Sequence, residues 1–198
     1  MRPEERRAQI KDVARALFGE RGYHRTQISD LIEAAGIARG TFYLYFRNKR
    51  EIFGELVDDL LKTLNAGIRG IEIGDGAAPV NDQMRGNLSR ILETMSRNRP
   101  LAHILLRAAV GLDPDFDHRV DDFYRQVANR IAEGVTLGLE MGIVHPCDPH
   151  VAAVMILGSI KEVVYQYLVA TDGEPDWEEV TSEVLGHVVR AVLAPGGA

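Results

Sequence analysis

Apolar residues recur at spacings of three and four along most of the chain. No stretch alternates apolar and polar with the period of two that a half-buried strand needs. Ile10, Val13, Ala14, Leu17 and Phe18 mark a first helix over residues 4–19, with Gly22 as its stop signal. Thr26 reads as the N-cap of a short helix, "QISDLIEAA", striped by Ile28, Leu31 and Ile32 and ending at Gly36. Another short helix follows over 39–46. Asn48 then caps a longer one, in which Ile52, Phe53, Leu56, Val57, Leu60, Leu61 and Leu64 keep helical spacing to residue 68. "GDGAAPVND", 74–82, is a linker. Beyond it the pattern predicts helices at 82–97, 100–112, 116–142, 149–171 and 176–193, with Pro100 in a first turn and Asp148-Pro149 as an N-cap and N1 pair. The expectation is an all-α fold. A small head spans residues 1–48 and a larger helical body spans 49–198, with the helix at 49–68 as connector.

Length and composition narrow the class. A chain of 198 residues buries one sizeable core, or one core and a small accessory domain. A single cysteine, Cys147, excludes an intrachain disulfide framework and suggests a reducing cytoplasm. The N-terminus, "MRPEERRAQIKD", is too charged for a signal peptide. The longest apolar run, "VAAVMILGSI" at 151–160, is too short for a bilayer and is followed at once by Lys161 and Glu162, so no membrane is expected. Net charge is −6, but it is unevenly spread: residues 1–50 hold eleven Lys/Arg against six Asp/Glu, a net of +5, and the remainder nets −11. A basic head on an acidic body suits a polyanion bound at one end.

Helix, short helix, glycine turn, short helix is the arrangement of a helix-turn-helix, whose second paired helix enters the major groove. The second short helix carries "GTFYLYFRNKRE", 40–51, where four of the chain's thirteen aromatic residues sit within positions 42–46. The letters of "GYHRTQISDLIEAAGIARGTFYLYFRNKREIF", 22–53, closely resemble the DNA-binding head of the TetR family of bacterial transcriptional regulators. The matching features are Gly22-Tyr23, Thr26, "DLIEAAG", Gly40-Thr41, Tyr43, Phe46, Lys49 and the apolar residue at 53. The head covers about a quarter of the chain. Two positions depart from the family pattern: Ala38, where a capping Ser or Thr is common, and Ile32, where a small Ala is common.

Helical phase sorts the aromatics. Phe42 and Phe46 lie within about 40° of each other and should face Leu17, Phe18 and Leu31. Tyr43 shares the opposite surface with Arg39, its i,i+4 partner. The resemblance then implies a set of contacts to a double-stranded operator. Arg39, near the helix start, matches guanine O6 and N7. Gly40 allows close approach of the backbone. Thr41 reaches a phosphate or a thymine methyl, and Tyr43 and Tyr45 donate to phosphates. Thr26 and Gln27 sit at a helix N-terminus. Lys49 adds a phosphate contact, and Arg47 and Arg50 enrich the local field.

In the body, the helix at 149–171 is apolar nearly all round, so a second subunit is expected to cover its outer side. Met155, Gly158, Val163 and Tyr167, with Val184 and Val188 of the last helix, are the candidate homodimer interface, and the resemblance implies the same four-helix arrangement. The helices at 82–142 are the expected effector region: Met84, Met95 and Met141 as flexible apolar lining, and His103, Arg107 and Tyr124 as polar groups for an unknown small molecule. "HPCDPH", 145–150, holds metal-ligand types, but Asp148 is better used as a cap, so neither metal nor cofactor is expected. No catalytic constellation stands out, so an enzyme is not expected. The reading is a cytoplasmic, ligand-released repressor acting as a homodimer on a pseudo-palindromic operator. The alternative is a DNA-binding dimer of the same fold without an effector, in an architectural or activator role.

Overall fold

The computed structural model describes residues 2–103, 105, 106, 114–170, 173 and 175–194, with the side chains of Pro114 and Asp115 excepted. Its helices are α1 (Pro3–Arg21), α2 (Ile28–Ala35), α3 (Arg39–Tyr45), α4 (Lys49–Gly67), α5 (Val80–Arg97), α6 (Arg99–His103), α7 (Pro114–Glu140), α8 (Pro149–Val164) and α9 (Trp177–Val192). Among the described residues the only strand-like pairing is an isolated antiparallel bridge between Val144 and Leu193. The fold is all-α, as the periodicity implies.

Local chemistry explains most helix ends. α1 stops at Gly22, which takes φ +81° and returns its amide to the Phe18 carbonyl at 3.0 Å. α2 stops at Gly36 in the left-handed conformation, φ +61°. Asn48 caps α4 by accepting from the Glu51 amide at 2.9 Å, and Asp148 caps α8 by accepting from the Val151 amide at 2.9 Å. The cap of α2 differs from expectation. Gln27, not Thr26, is its N-cap, and the Asp30 carboxylate accepts from the Gln27 amide at 2.8 Å. Of the helix predicted over 100–112, the described part is α6 and the helical residues 105 and 106; residues 104 and 107–112 lie outside the described residues. The helix predicted to 171 is regular to Val164 and continues as a π-helical turn over Tyr165–Val169.

The core is continuous from head to body. One cluster of buried side chains runs from Ile10 through α4 to Leu168, without a break at residue 48. α4 buries Ile52, Phe53, Gly54, Leu56, Val57, Leu60, Leu61 and Leu64. Its Phe53 ring meets Tyr23 at 4.7 Å and Phe18 at 6.0 Å on the head side, and Phe116 of α7 at 5.5 Å on the body side. Ion pairs line the edges of α4: Lys11 with Glu55 and Asp59, Arg7 with Glu55, and Arg119 of α7 with both oxygens of Asp58 at 2.9 and 3.0 Å.

A second junction joins α1 directly to α6. A Cβ added to Gly19 would lie 2.5 Å from Cγ of Pro100, whose ring cannot rotate away. Gly19→Ala should therefore overpack the junction by about 1–3 kcal/mol, offset by about 1 kcal/mol of helix propensity. Thermal unfolding should show a Tm lowered by a few degrees; an unchanged or raised Tm would mean that α6 yields freely.

Candidate nucleic-acid interface and ligand cavity

α3 divides as its phase predicts. Phe42 and Phe46 are buried in the common core. Arg39 and Gly40 are exposed, Thr41 is half-buried, Tyr43 is 44% exposed and Leu44 82% exposed. The Arg39 guanidinium lies 5.9 Å from the centre of the Tyr43 ring, so the two form one surface. A Cβ at Gly40 would meet no atom within 4 Å. No contact within the described chain requires a glycine there. Tyr45 is half-buried with its ring against the core, so Tyr43 is the more open tyrosine. Ala38 occupies the N-cap of α3 and supplies no side-chain bond.

Two expected phosphate contacts are redirected inward. Thr26 is fully buried, and its hydroxyl donates to the carbonyls of Gly22 at 2.9 Å and Leu17 at 3.3 Å. It closes the turn between α1 and α2, and its side chain is out of reach of a duplex. Lys49 stands over the Tyr23 ring at 4.4 Å and donates to the carbonyls of Tyr23 at 2.6 Å, Thr26 at 2.8 Å and His24 at 3.4 Å. Burial lowers its pKa from the usual lysine value, against the opposing pull of the Asp30 charge. All three ammonium protons are directed at that turn, so Lys49 locks the start of α2 to the start of α4. Gln27 remains exposed at the α2 N-terminus.

The residue that aims α3 is one that sequence reasoning missed. Arg7 of α1 donates through Nη1 to the Tyr45 carbonyl at 2.7 Å, and its guanidinium stands 4.3 Å from the centre of the Phe46 ring. It also pairs with Glu55 of α4. One side chain thus ties α1, the end of α3 and α4. Gln9 does the same for α2, donating to the Ala35 carbonyl at 3.2 Å. Among the many polar and charged residues of α1, nothing in the sequence marks these two.

The body holds a half-open cavity of about 750 Å³ between α4, α5, α7, α8 and α9. Of the residues expected to form an effector pocket, Met84, Met95 and Tyr124 line this cavity. His103 and Met141 do not: His103 lies on α6, and Met141 is 48% exposed past the end of α7. Arg107 lies outside the described residues. The largest revision concerns α9. Its apolar stripe faces inward, with Val180 and Val188 buried and Val184, Val188 and Val192 in the cavity wall. Val184 and Val188, expected at a homodimer interface, line the cavity within this chain, where α9 packs mainly across α5. Val163 is half-buried, whereas Val154 (63% exposed), Met155 (68%) and Gly158 present an open apolar face on α8, and Tyr167 is exposed in the π-helical turn that follows it.

The connector after α4 borders this cavity through Ile68, Ile71 and Ile73. Two amide side chains of α5 hold it. Asn87 accepts from the Arg69 amide at 2.9 Å and donates to the Arg69 carbonyl at 2.8 Å; Gln83 makes the same pair with Glu72, both at 2.8 Å. Each amide mimics a facing strand residue, so the connector is laid along α5 like an edge strand.

Cys147 is exposed, and the neighbouring Asp148 serves as the α8 cap. Among the described residues no group of three metal-ligand types lies together. Counted as a whole helix, Pro149–Val169 reaches the length and apolarity of a bilayer-crossing segment, which the shorter run at 151–160 does not.

The family model described as "Bacterial regulatory proteins, tetR family" matches residues 10–56, and that described as "Tetracyclin repressor-like, C-terminal domain" matches residues 77–192. The chain is 25% identical over 189 residues to the fatty acid metabolism regulator protein of Bacillus subtilis, covering 93% of this chain and 94% of that one. It is 29% identical over 178 residues to the HTH-type transcriptional regulator TtgR of Pseudomonas putida, covering 85% and 83%. The solved structure of the regulator FadR from Bacillus subtilis in complex with stearoyl-CoA superposes with a TM-score of 0.71 at 25% identity, covering 93% of this chain and 98% of that one.

Two substitutions test the head. Arg7→Ala should weaken binding to an operator about tenfold or more, as loss of a charged hydrogen bond frees the end of α3; unchanged affinity would mean that Arg7 does not position the helix. Lys49→Gln should lower Tm while leaving the salt dependence of DNA binding unchanged. A slope reduced by about 0.9, the signature of one lost phosphate contact, would contradict the inward role.

Proposed function

Because the chain belongs to the TetR family of bacterial regulatory proteins, we propose that this transcriptional regulator is a homodimeric repressor released from a pseudo-palindromic operator by an apolar small-molecule effector. It acts by binding and not by catalysis, in the cytoplasm where its operator lies.

One observation carries the effector reading: the far end of the connector helix is part of the cavity wall. Leu64 and Asn65 of α4 line the cavity, while Lys49 at the other end grips the turn that carries α2. Phe53 against Phe116 and Asp58 against Arg119 join α4 to α7, a second wall of the same cavity. An occupant that displaces the C-terminal half of α4 moves the head with it, because the core has no soft boundary between them. Ligand and DNA then bias one two-state equilibrium in opposite directions, with a coupling of about 1–3 kcal/mol. The relatives named for fatty acid metabolism and solved with stearoyl-CoA support an effector with a long apolar part. A rigid DNA-binding dimer without an effector would have no use for a wall of this kind.

On the DNA side, Arg39, Gly40, Thr41 and Tyr43 form the reading surface, with Gln27 and Tyr45 at its edges and Leu44 available to a thymine methyl or the backbone. On the dimer side, the exposed face of α8 and the turn after it (Val154, Met155, Gly158 and Tyr167) takes a second copy about a two-fold axis. We read that face as a protein interface and not a membrane span, since Lys161 and Glu162 interrupt the helix and its inner side packs on α7.

The test is an operator-shift titration, with the operator selected from random duplex DNA and a broad panel of apolar ligands added. The expected result is a two-fold symmetric site and at least one ligand that weakens binding about 5- to 150-fold. An operator affinity that no ligand alters would remove the effector and leave a DNA-binding regulator.

A further inference from the structure

The cavity wall is apolar nearly everywhere, yet one point on it carries two donors side by side. Tyr124 of α7 and Lys161 of α8 both line the cavity, and the Lys161 ammonium stands 4.1 Å from the centre of the Tyr124 ring. Several lysines and arginines near the core meet carboxylates, Arg7 and Lys11 with Glu55 and Arg119 with Asp58, and Lys49 and Arg90 meet backbone carbonyls. Lys161 meets only the ring among the described residues, and the adjacent Glu162 accepts from Gln166 instead. The Tyr124 hydroxyl has no hydrogen-bond partner among the described residues. Burial pushes its pKa up to about 12, so at neutral pH it stays a donor.

The charge of the wall points the same way. Its described charged residues are Arg69, Arg130 and Lys161 against the single carboxylate of Glu133, in a chain whose net charge is −6. An exposed cation at the rim of the cavity, held against an aromatic face beside a phenol with no hydrogen-bond partner among the described residues, is an arrangement that a bound anionic oxygen satisfies. The ammonium and the phenol can each donate to one oxygen of a carboxylate, and charge-assisted bonds of this kind are the strong ones.

We propose that the effector is an anionic amphiphile whose apolar body fills the cavity and whose carboxylate is received by Lys161 and Tyr124. This rests on reading the cavity as the effector site. Two shapes of molecule offer the same chemistry, a linear fatty acid and a fused-ring acid, and the experiment separates them.

Calorimetric titration of the full chain would compare dodecanoate with methyl dodecanoate, and deoxycholate with its methyl ester. Each pair is measured on the wild type, Lys161→Met and Tyr124→Phe. In at least one pair the acid should bind the wild type about tenfold or more tightly than its ester, the worth of one charged hydrogen bond. Lys161→Met keeps the aliphatic stem over the ring, so ester affinity should hold while the preference for the acid disappears. Tyr124→Phe should reduce that preference in part. The inference is overturned by equal binding of acid and ester to the wild type, by no binding of either acid, or by a preference that survives Lys161→Met. Loss of acid and ester alike in Lys161→Met would show a packing role only and overturns it too. Release of the operator by a neutral ligand, with both acids inert, would sink this head-group seat while the effector-controlled repressor stands.

Discussion

The double burial of α4 is the constraint on which the rest of the structure depends. Its seven large apolar side chains from Ile52 to Leu64 cannot be covered from one side, so head and body must both close on it. A three-helix head of fewer than fifty residues has too little interior to be secure alone. By lending it Phe53, Leu56 and Val57, α4 completes the head's core and makes it mechanically continuous with the body. The Tyr23–Phe53–Phe116 stack is the visible part of that continuity. The arrangement that secures the fold also carries a push from the cavity to the recognition helix.

Within the head, side chains seek out carbonyls. Arg7 takes the end of α3, Gln9 the end of α2, and Lys49 and Thr26 the turn after α1. Short helices leave many carbonyls unsatisfied, and a small domain has little else to orient them. Some of the positive charge that appears destined for DNA is therefore structural. What stays free on the surface of α3 is Arg39, with Tyr43 and Leu44 beside it.

The body uses its apolar stripes differently from a simple bundle. α9 turns its valines inward to form a wall, and α8 divides its circumference between that cavity and the outside. The space left between them has the volume of a small-molecule site, and its polar groups come from α7, α8, the end of α4, the connector at Arg69 and α5 at Asn87. Such a cavity forgoes packing that would otherwise stabilise the chain. The connector strapped by Gln83 and Asn87 adds order at its edge without filling it.

The helical class, nearly every helix boundary and the division of Phe42 and Phe46 from Tyr43 were legible from periodicity, because a spacing of 3.6 residues and a capping residue are local properties. The motif in residues 22–53 pointed to DNA for the same reason: its information lies within one stretch of chain. The partners that Thr26, Lys49, Val184 and Val188 meet within the chain were not legible. Each had a true local property, whether hydroxyl, charge or apolar phase, but its partner lay elsewhere: Gly22 and Leu17, the carbonyls of the first turn, or the cavity wall. Arg7 was invisible because its three partners come from α3 and α4. The sequence by itself determined which segments are helices and which face of each is apolar. Only the tertiary structure decided what each face and each charge meets, because hydrogen bonds and packing depend on distances between segments that no local spacing records.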